Sequence, residues 1–304
     1  MTDKQLFDES FLKRLEGLSL LYRQAARSPM QGERRSAQRG QSVEFSDFRP
    51  YTPGDDFRRI DWNAYARLER LFLKLFVEEV DVPVYLVIDA SRSMDWGEPN
   101  KLWFSIRLAA ALGFIALAGL DRVSASVVGW DAPLIRKRLP PLRGKRSALT
   151  LFNFLQLAKN GSVSTNAPNS HTSAPMEFGA LAANASQPGP LVLFSDLMDD
   201  GWQTGLSRLA GKGFEITLLH VLSPDETDPE FEGDFKLVDA ETQAQVEISA
   251  DFETMQRYRQ LLSNWQENWR RFCAARRIHY LPVISSQSLE ELLFAALPQQ
   301  GALR

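Results

Sequence analysis

The spacing of apolar positions changes character along the chain. Residues 3 to 26 repeat at helical intervals, with Leu6, Phe11, Leu12, Leu15, Leu18 and Tyr22 near one face. Residues 27 to 47 are rich in Arg, Ser and Gln and read as loop. The next stretch, "FRPYTPGDDFRRIDWNAYARLERLFLKLFVEE", opens with Pro50, Pro53 and Gly54, which block a long helix at its start. Val77 to Asp81 reads as a transition. Beyond it, short apolar runs alternate with helical ones. Val82 to Ile88 is a β-branched run that predicts a buried strand, and Lys101 to Leu120 predicts an apolar helix. "DRVSASVVGW" alternates, with Val123, Ala125 and Val127 on one side, and "LIRKRLPPL" reads as an edge strand closed by Pro140 and Pro141. Arg146 to Ala158 is helical, 160 to 175 a polar loop, and Met176 to Ala185 helical again. "PLVLFSD" predicts a strand, "GWQTGLSRLAGKG" a helix ending in glycine, and "FEITLLHVL" a strand. "DFKLVDAETQAQVEIS" alternates about a polar turn, which predicts a hairpin. Phe252 to Arg277 is a long helix, "IHYLPVI" a last strand and Ser288 to Leu297 a last helix.

Strands alternating with helices imply an α/β fold, a doubly wound and mainly parallel sheet covered on both faces. To it are added an N-terminal helical and irregular extension and a late β-hairpin insertion. The expected division is residues 1–80, a helix plus the segment "RPYTPGDDFRRIDW" packing on the main domain, and residues 81–304, the α/β domain. In such sheets ligands sit beyond the carboxyl ends of the strands. Two strands end there in acid-bearing loops, "VIDASRS" and "LFSDLMD".

Bulk properties narrow the function classes. With 44% apolar residues in 304, the chain can bury a sizeable core. A net charge of −3 gives no global pull toward nucleic acid. The arginines at 34, 35 and 39 are nearly offset by surrounding acids and have no aromatic stacking platform beside them. The lone Cys273 can make neither an internal disulfide nor a thiolate metal site. The N-terminal "MTDKQLFDESFLKRLEG" lacks the apolar core of a signal peptide. The uninterrupted apolar part of the Leu102–Leu120 run rises only about 20 Å, against a hydrocarbon core of about 30 Å. The expectation is a cytoplasmic chain without a transmembrane segment.

Candidate chemistry lies in "VYLVIDASRSMDWGE". Residues at i, i+2 and i+4 of an extended loop point the same way, so Asp89, Ser91 and Ser93 can converge above the sheet edge. One carboxylate with two hydroxyls suits a hard cation such as Mg²⁺ or Mn²⁺. With little protein charge on it, such an ion keeps positions open for water or a foreign carboxylate. Asp196 can add a carboxylate from the second acidic loop, and a threonine from 160 to 175 a further hydroxyl. The competing reading of the same residues is a capped strand-to-helix turn.

"DASRS" resembles the D-x-S-x-S signature of the von Willebrand factor A domain, whose metal-ion-dependent adhesion site binds a divalent cation; "LFSD", Leu193 to Asp196, resembles that family's second acidic segment. "RPYTPGDDFRRIDW" resembles the R-x-Y-x-P-G-D-x-x-R-x-I-D-W block of the bacterial family called domain of unknown function 58, and "FKLVDAETQAQVEI" resembles its late hairpin. The likeness implies a von Willebrand A-like, Rossmann-like topology. It also implies a Mg²⁺ or Mn²⁺ site on Asp89, Ser91, Ser93 and Asp196, with Thr172 as the threonine and Thr165 as its rival. Where that family shows Gly-Gly-Thr, this chain has "SHTSAPMEFGAL". The resemblance further implies a non-catalytic adaptor that binds partner carboxylates and works with a MoxR-type AAA+ ATPase on a protein client. The alternative is a metal-dependent phosphoester hydrolase using the same cation. No G-x-S-x-G elbow, D-x-D acid pair or phosphate-binding glycine loop supports it. The block holding Arg49, Tyr51, Pro53, Gly54, Asp55, Asp56, Arg58, Asp61 and Trp62 reads either as a hydrogen-bonded structural cluster or as a partner-contact surface. Trp96 reads either as an exposed anchor for a partner or as a ring buried under a loop.

Overall fold

The computed structural model describes residues 6–20, 43–78, 82–129, 137–162, 173–185, 187–229, 233–239, 244–299 and 303. It divides into two compact units, Met1–Gln24 with Val82–Arg304, and Ala25–Asp81. This division differs from the one expected at residue 80, because the N-terminal segment joins the core of the larger unit. Helix α1 (Glu9–Leu15) is capped by Asp8, which accepts from the Phe11 N–H, and it is shorter than the periodicity suggested. Phe7 meets Phe152 and Phe11 meets Phe294 edge to face, at ring-centroid distances of 5.8 and 6.3 Å.

In the smaller unit, β1 (Val43–Pro50) pairs antiparallel with β2 (Phe72–Glu78), from Val43↔Glu78 to Pro50↔Phe72. Residues 43–47, expected as loop, are therefore strand: the alternation of Val43 and Phe45 is too short to stand out after the polar run before it, and the pairing partner lies far along the chain. Between the strands lie a short 3₁₀ turn, Phe57–Arg59, and helix α2 (Trp62–Leu68). The acids of this block each close a turn. Asp55 accepts from Arg49 Nη2 (2.6 Å) and from the Thr52 N–H and Oγ1 (2.9 and 2.8 Å). That guanidinium, with the Thr52 donors, holds Asp55 down at about 2. Asp56 caps the 3₁₀ turn through the Arg58 N–H, and Asp61 caps α2 through the N–H groups of Asn63 and Ala64. Gly54 sits at φ +107°, a conformation that L side chains rarely adopt. Trp62, Tyr65, Phe57 and Leu68 are exposed.

The larger unit is built on a six-stranded sheet. Its strands are β3 (Pro83–Asp89), β4 (Arg122–Val128), β5 (Arg138–Arg143), β6 (Pro190–Ser195), β7 (Glu215–Leu222) and β10 (His279–Ile284). They lie in the order β10-β7-β6-β3-β4-β5; all pairs are parallel except β4–β5, so the basic, proline-bearing strand is an antiparallel edge. The chain leaves β3 toward β4 and later returns to pair β6 on the other side of β3. That order reversal is the switch point at which a doubly wound sheet opens a crevice.

Both sheet faces are apolar, and alternation sorts the residues between them. Val84, Leu86 and Ile88 of β3 join Val192 and Phe194 of β6 under α3 (Lys101–Ala118), α4 (Ala148–Ser162), α1 and the C-terminal helical segment. Val87, Leu191 and Leu193 face α5 (Ala174–Asn184), α6 (Trp202–Gly211) and Trp269 and Cys273 of α8 (Phe252–Ala274). Helix α3 is the one described helix long and apolar enough to cross a membrane by length and composition, and 83% of that window is buried in the protein. It is apolar on nearly every side because it packs on the sheet and under α1 and α4 at once. The C-terminal segment runs from α9 (Leu289–Glu291) through a π turn, Leu292–Ala296, into α10 (Leu297–Gln299). A short helix, α7 (Pro224–Thr227), follows β7. Strands β8 (Gly233–Val238) and β9 (Gln245–Ala250) then form the expected hairpin as a sheet of their own.

Candidate functional site

Asp89 ends β3, Ser195 ends β6 beside it and Asp196 follows at once, on the carboxyl side of the switch point. Asp89 is buried. Its Oδ1 accepts the Ser91 N–H (3.0 Å) and its Oδ2 accepts the Ser195 hydroxyl (2.6 Å). Ser195 Oγ in turn accepts the Leu197 N–H at 3.0 Å, so one hydroxyl ties the two loops together. Burial first, and the neighbouring Asp196 carboxylate second, push Asp89 up to about 7; the hydrogen bonds from Ser195 and Ser91 oppose this.

Ser91 and Ser93 do converge, but not for the expected reason. The segment is a turn rather than an extended loop: the Met94 N–H donates to Ser91 O (3.1 Å) and the Asp95 N–H to Arg92 O (3.1 Å). Folding the turn, rather than strand alternation, brings the two hydroxyl oxygens to 3.2 Å. Met94 is fully buried beneath them and anchors the turn. Asn100 caps α3, accepting the Trp103 N–H at 2.8 Å while donating to Asp95 at 2.9 Å. Ser285, beyond β10, donates to Pro99 O at 2.5 Å. The loop after β3 is thus held from several directions.

Asp196 is brought to the site, but its carboxylate is engaged. Oδ2 accepts from Lys101 Nζ at 2.8 Å, and the same ammonium donates to Glu226 Oε1 at 2.5 Å. Lys101 is wholly buried. Glu226 completes a capping box with Ser223 at the start of α7. Lys101, Glu226 and Ser195 were not singled out from the sequence. A lysine at a helix start reads as solvated, and its partners lie 95 and 125 residues away. The Ser223–Glu226 box is readable as a helix start, though not as part of this site.

His220 of β7 lies under the second loop. Its Nε2–H donates to the Asp196 carbonyl (3.1 Å), which leaves Nδ1 to accept the Tyr280 hydroxyl (2.6 Å). Burial pulls its pKa down to about 4 from 6.5. The unfolded chain therefore takes up a proton between these values that the folded chain refuses. Stability present above pH 6.5 is lost as pH falls toward 4, by about 3 kcal/mol from this group. In denaturant unfolding, His220→Gln is expected to flatten the slope of unfolding free energy against pH in this window by up to about 1.4 kcal/mol per pH unit. An unchanged slope would show that His220 does not carry it.

Among the described residues no group of three His, Cys, Asp or Glu side chains gathers as a metal cluster. The donor set is instead one carboxylate and two hydroxyls, with a second carboxylate nearby. With Asp89 ionised, as a bound cation would hold it, the three carboxylates Asp89, Asp196 and Glu226 against the Lys101 ammonium would leave two negative charges. That is the complement of a divalent ion, so Asp89, Ser91 and Ser93 fit a hard cation while Asp196 fits an outer position. Thr172 and Thr165 lie outside the described residues. The first residue of α5, Ala174, is packed against Gly129, itself beside Asp89. Trp96 is exposed, at 58%, rather than buried under a loop, and Met198 is exposed beside Asp196. Arg49, Tyr51, Pro53, Gly54, Asp55, Asp56, Arg58, Asp61 and Trp62 belong to the smaller unit, where their acids make the turn and capping bonds given above.

The chain is 25% identical over 247 residues to the uncharacterized proteins Rv1480 of Mycobacterium tuberculosis and Mb1516 of Mycobacterium bovis, covering 80% of this chain and 75% of each relative. Two solved structures are similar at 16% identity over 72% of this chain and 98% of theirs. They are the conserved hypothetical protein BatB from Bacteroides thetaiotaomicron (TM-score 0.41) and an aerotolerance-related membrane protein from Bacteroides fragilis (TM-score 0.42). The family described as "Protein of unknown function DUF58" matches residues 47–268, which span both units. The chain is therefore a member of the DUF58 family.

Proposed function

We propose that the protein is a von Willebrand A-like interaction module without catalytic activity. In this reading Asp89, Ser91 and Ser93 hold a Mg²⁺ or Mn²⁺ ion, Asp196 supports it from beside, and a partner's Asp or Glu completes its shell. The bound ion supplies a Lewis-acidic point for that visiting carboxylate. The observation that carries the reading is the convergence of the two serine hydroxyls, 3.2 Å apart, next to a buried carboxylate at the switch point. The strand order with its antiparallel edge supports it further, as does the excess of acid over the single buried ammonium. Trp96 and Met198, exposed beside the site, offer a partner apolar anchors. The family resemblance extends the proposal to an adaptor that passes a protein client to a MoxR-type AAA+ ATPase.

The experiment is a Mn²⁺ titration followed by electron paramagnetic resonance. Wild type is expected to bind one ion saturably. Asp89→Asn, which keeps the shape and one hydrogen bond, is expected to weaken binding at least about tenfold, with circular dichroism unchanged. Absence of saturable binding in wild type, or equal binding in Asp89→Asn, overturns the metal reading.

A further inference from the structure

The charge of this chain is unevenly placed. Residues 224–253 hold eleven acids and one base, Lys236, a net of −10 in a chain whose total is −3. Residues 136–146 hold six bases and no acid. The structure puts an apolar surface beside each. In the hairpin, Phe235 pairs with Ile248 and Leu237 with Val246, so all four share one face. The other face carries the pairs Asp234↔Ser249 and Lys236↔Glu247. An amphipathic hairpin normally buries its apolar face, yet Leu237 and Val246 are 47% and 58% exposed, and Phe252 just beyond is 81% exposed. At the basic segment, Arg138, Pro140, Pro141 and Arg146 are exposed, with Leu149 of α4 beside them at 68%.

These two surfaces cannot meet within one copy. The basic strand β5 is one edge of the six-stranded sheet. The hairpin is inserted between β7 and β10, the strands of the opposite edge. Helix α8, which follows the hairpin, lies against β10, and its Tyr258 hydroxyl bonds the Glu226 carbonyl at 2.6 Å. Five strand spacings put the two edges about 24 Å apart. A second copy, turned head to tail, can bring its edge to the hairpin.

We propose that the acidic, apolar-faced hairpin docks on the basic β5 edge of a second copy of this chain. Leu237, Val246 and Phe252 cover Leu149 and the two prolines, while Asp239, on the same face of the hairpin, and Glu253, next to Phe252, face Arg138 and Arg146. Pro140 and Pro141 interrupt the donors of the edge strand, so the contact is made by side chains and not by strand addition. The contact is heterologous and can repeat from copy to copy. It does not depend on the metal site.

Sedimentation velocity on the full chain over a wide concentration range tests this. In low salt the average mass is expected to rise with concentration, and high salt is expected to reverse the rise. The double reversals Asp239→Lys/Glu253→Lys and Arg138→Glu/Arg146→Glu are each expected to weaken association at least about tenfold, with circular dichroism unchanged. Each variant retains one native surface complementary to the other's, so an equimolar mixture of the two is expected to associate again. A monomeric mass throughout low salt overturns the proposal. Association that neither reversal weakens overturns it as well.

Discussion

Lys101→Met is expected to remove about 3–5 kcal/mol of unfolding free energy from the larger unit, the largest effect of any polar substitution considered. The side chain is wholly buried, and its ammonium is shared between Asp196 Oδ2 and Glu226 Oε1. Methionine fills the space of the lysine stem, so packing is nearly kept and the loss isolates the charge. What remains is a pair of carboxylates facing each other in low dielectric, one of them 1% exposed. The double variant Lys101→Met/Glu226→Gln tests the cause, because it removes one of the stranded charges. It is expected to be more stable than Lys101→Met alone, a coupling that a packing defect would not produce. A cost below about 1 kcal/mol for Lys101→Met, in the range of a surface ion pair, would contradict the buried arrangement.

Gly129→Ala is expected to cost about 2–5 kcal/mol and to weaken Mn²⁺ binding with it, because strain and collision add at this position. Gly129 follows β4 at φ +72°. A Cβ there would stand 2.8 Å from Ala174 Cβ, 3.1 Å from the Ser91 nitrogen and 3.3 Å from Asp89 Oδ1. Ala174 Cβ and the Ser91 nitrogen cannot swing aside, and both Asp89 oxygens are held by hydrogen bonds, so the loop after β3 or the first turn of α5 has to move. The Gly129 N–H also donates to Glu177 Oε2 (3.0 Å), whose other oxygen accepts Lys137 Nζ at 2.6 Å. That network fastens the start of α5 next to the site. Gly144→Ala is the matched control: it shares a positive φ, +77°, but nothing lies within 4 Å of the added carbon. It is expected to lose only the backbone part and to leave Mn²⁺ binding unchanged. Equal losses in both variants, in unfolding and in titration, would show that the contacts around Gly129 carry no weight.

Local pattern by itself determined most of the secondary structure of the larger unit. The runs at β3, β6 and β7 are short, apolar and bounded by acids, serines or glycines. Such a run is stable chiefly as a strand covered on both faces. The hairpin of β8 and β9 was legible from its alternation for the same reason. Asp89, Ser91 and Ser93 were legible as a cluster because a carboxylate and two hydroxyls recur at every second position just past a buried strand. Even so, the expected extended geometry was replaced by a turn, since Met94 gains more by burial than a straight loop would allow. Tertiary structure alone decided the rest. The pairing of β1 with β2 closes around the intervening α2, and the alternation of Val43 and Phe45 is too short to mark residues 43–47 as strand without that partner. Which strand lies beside β3 is set by sheet order, and that order brings Ser195 and Asp196 to Asp89. Lys101 and Glu226 meet through the same order. Each charge is placed by its own helix start, and only the assembled sheet removes both from water, where their pairing acquires its energy.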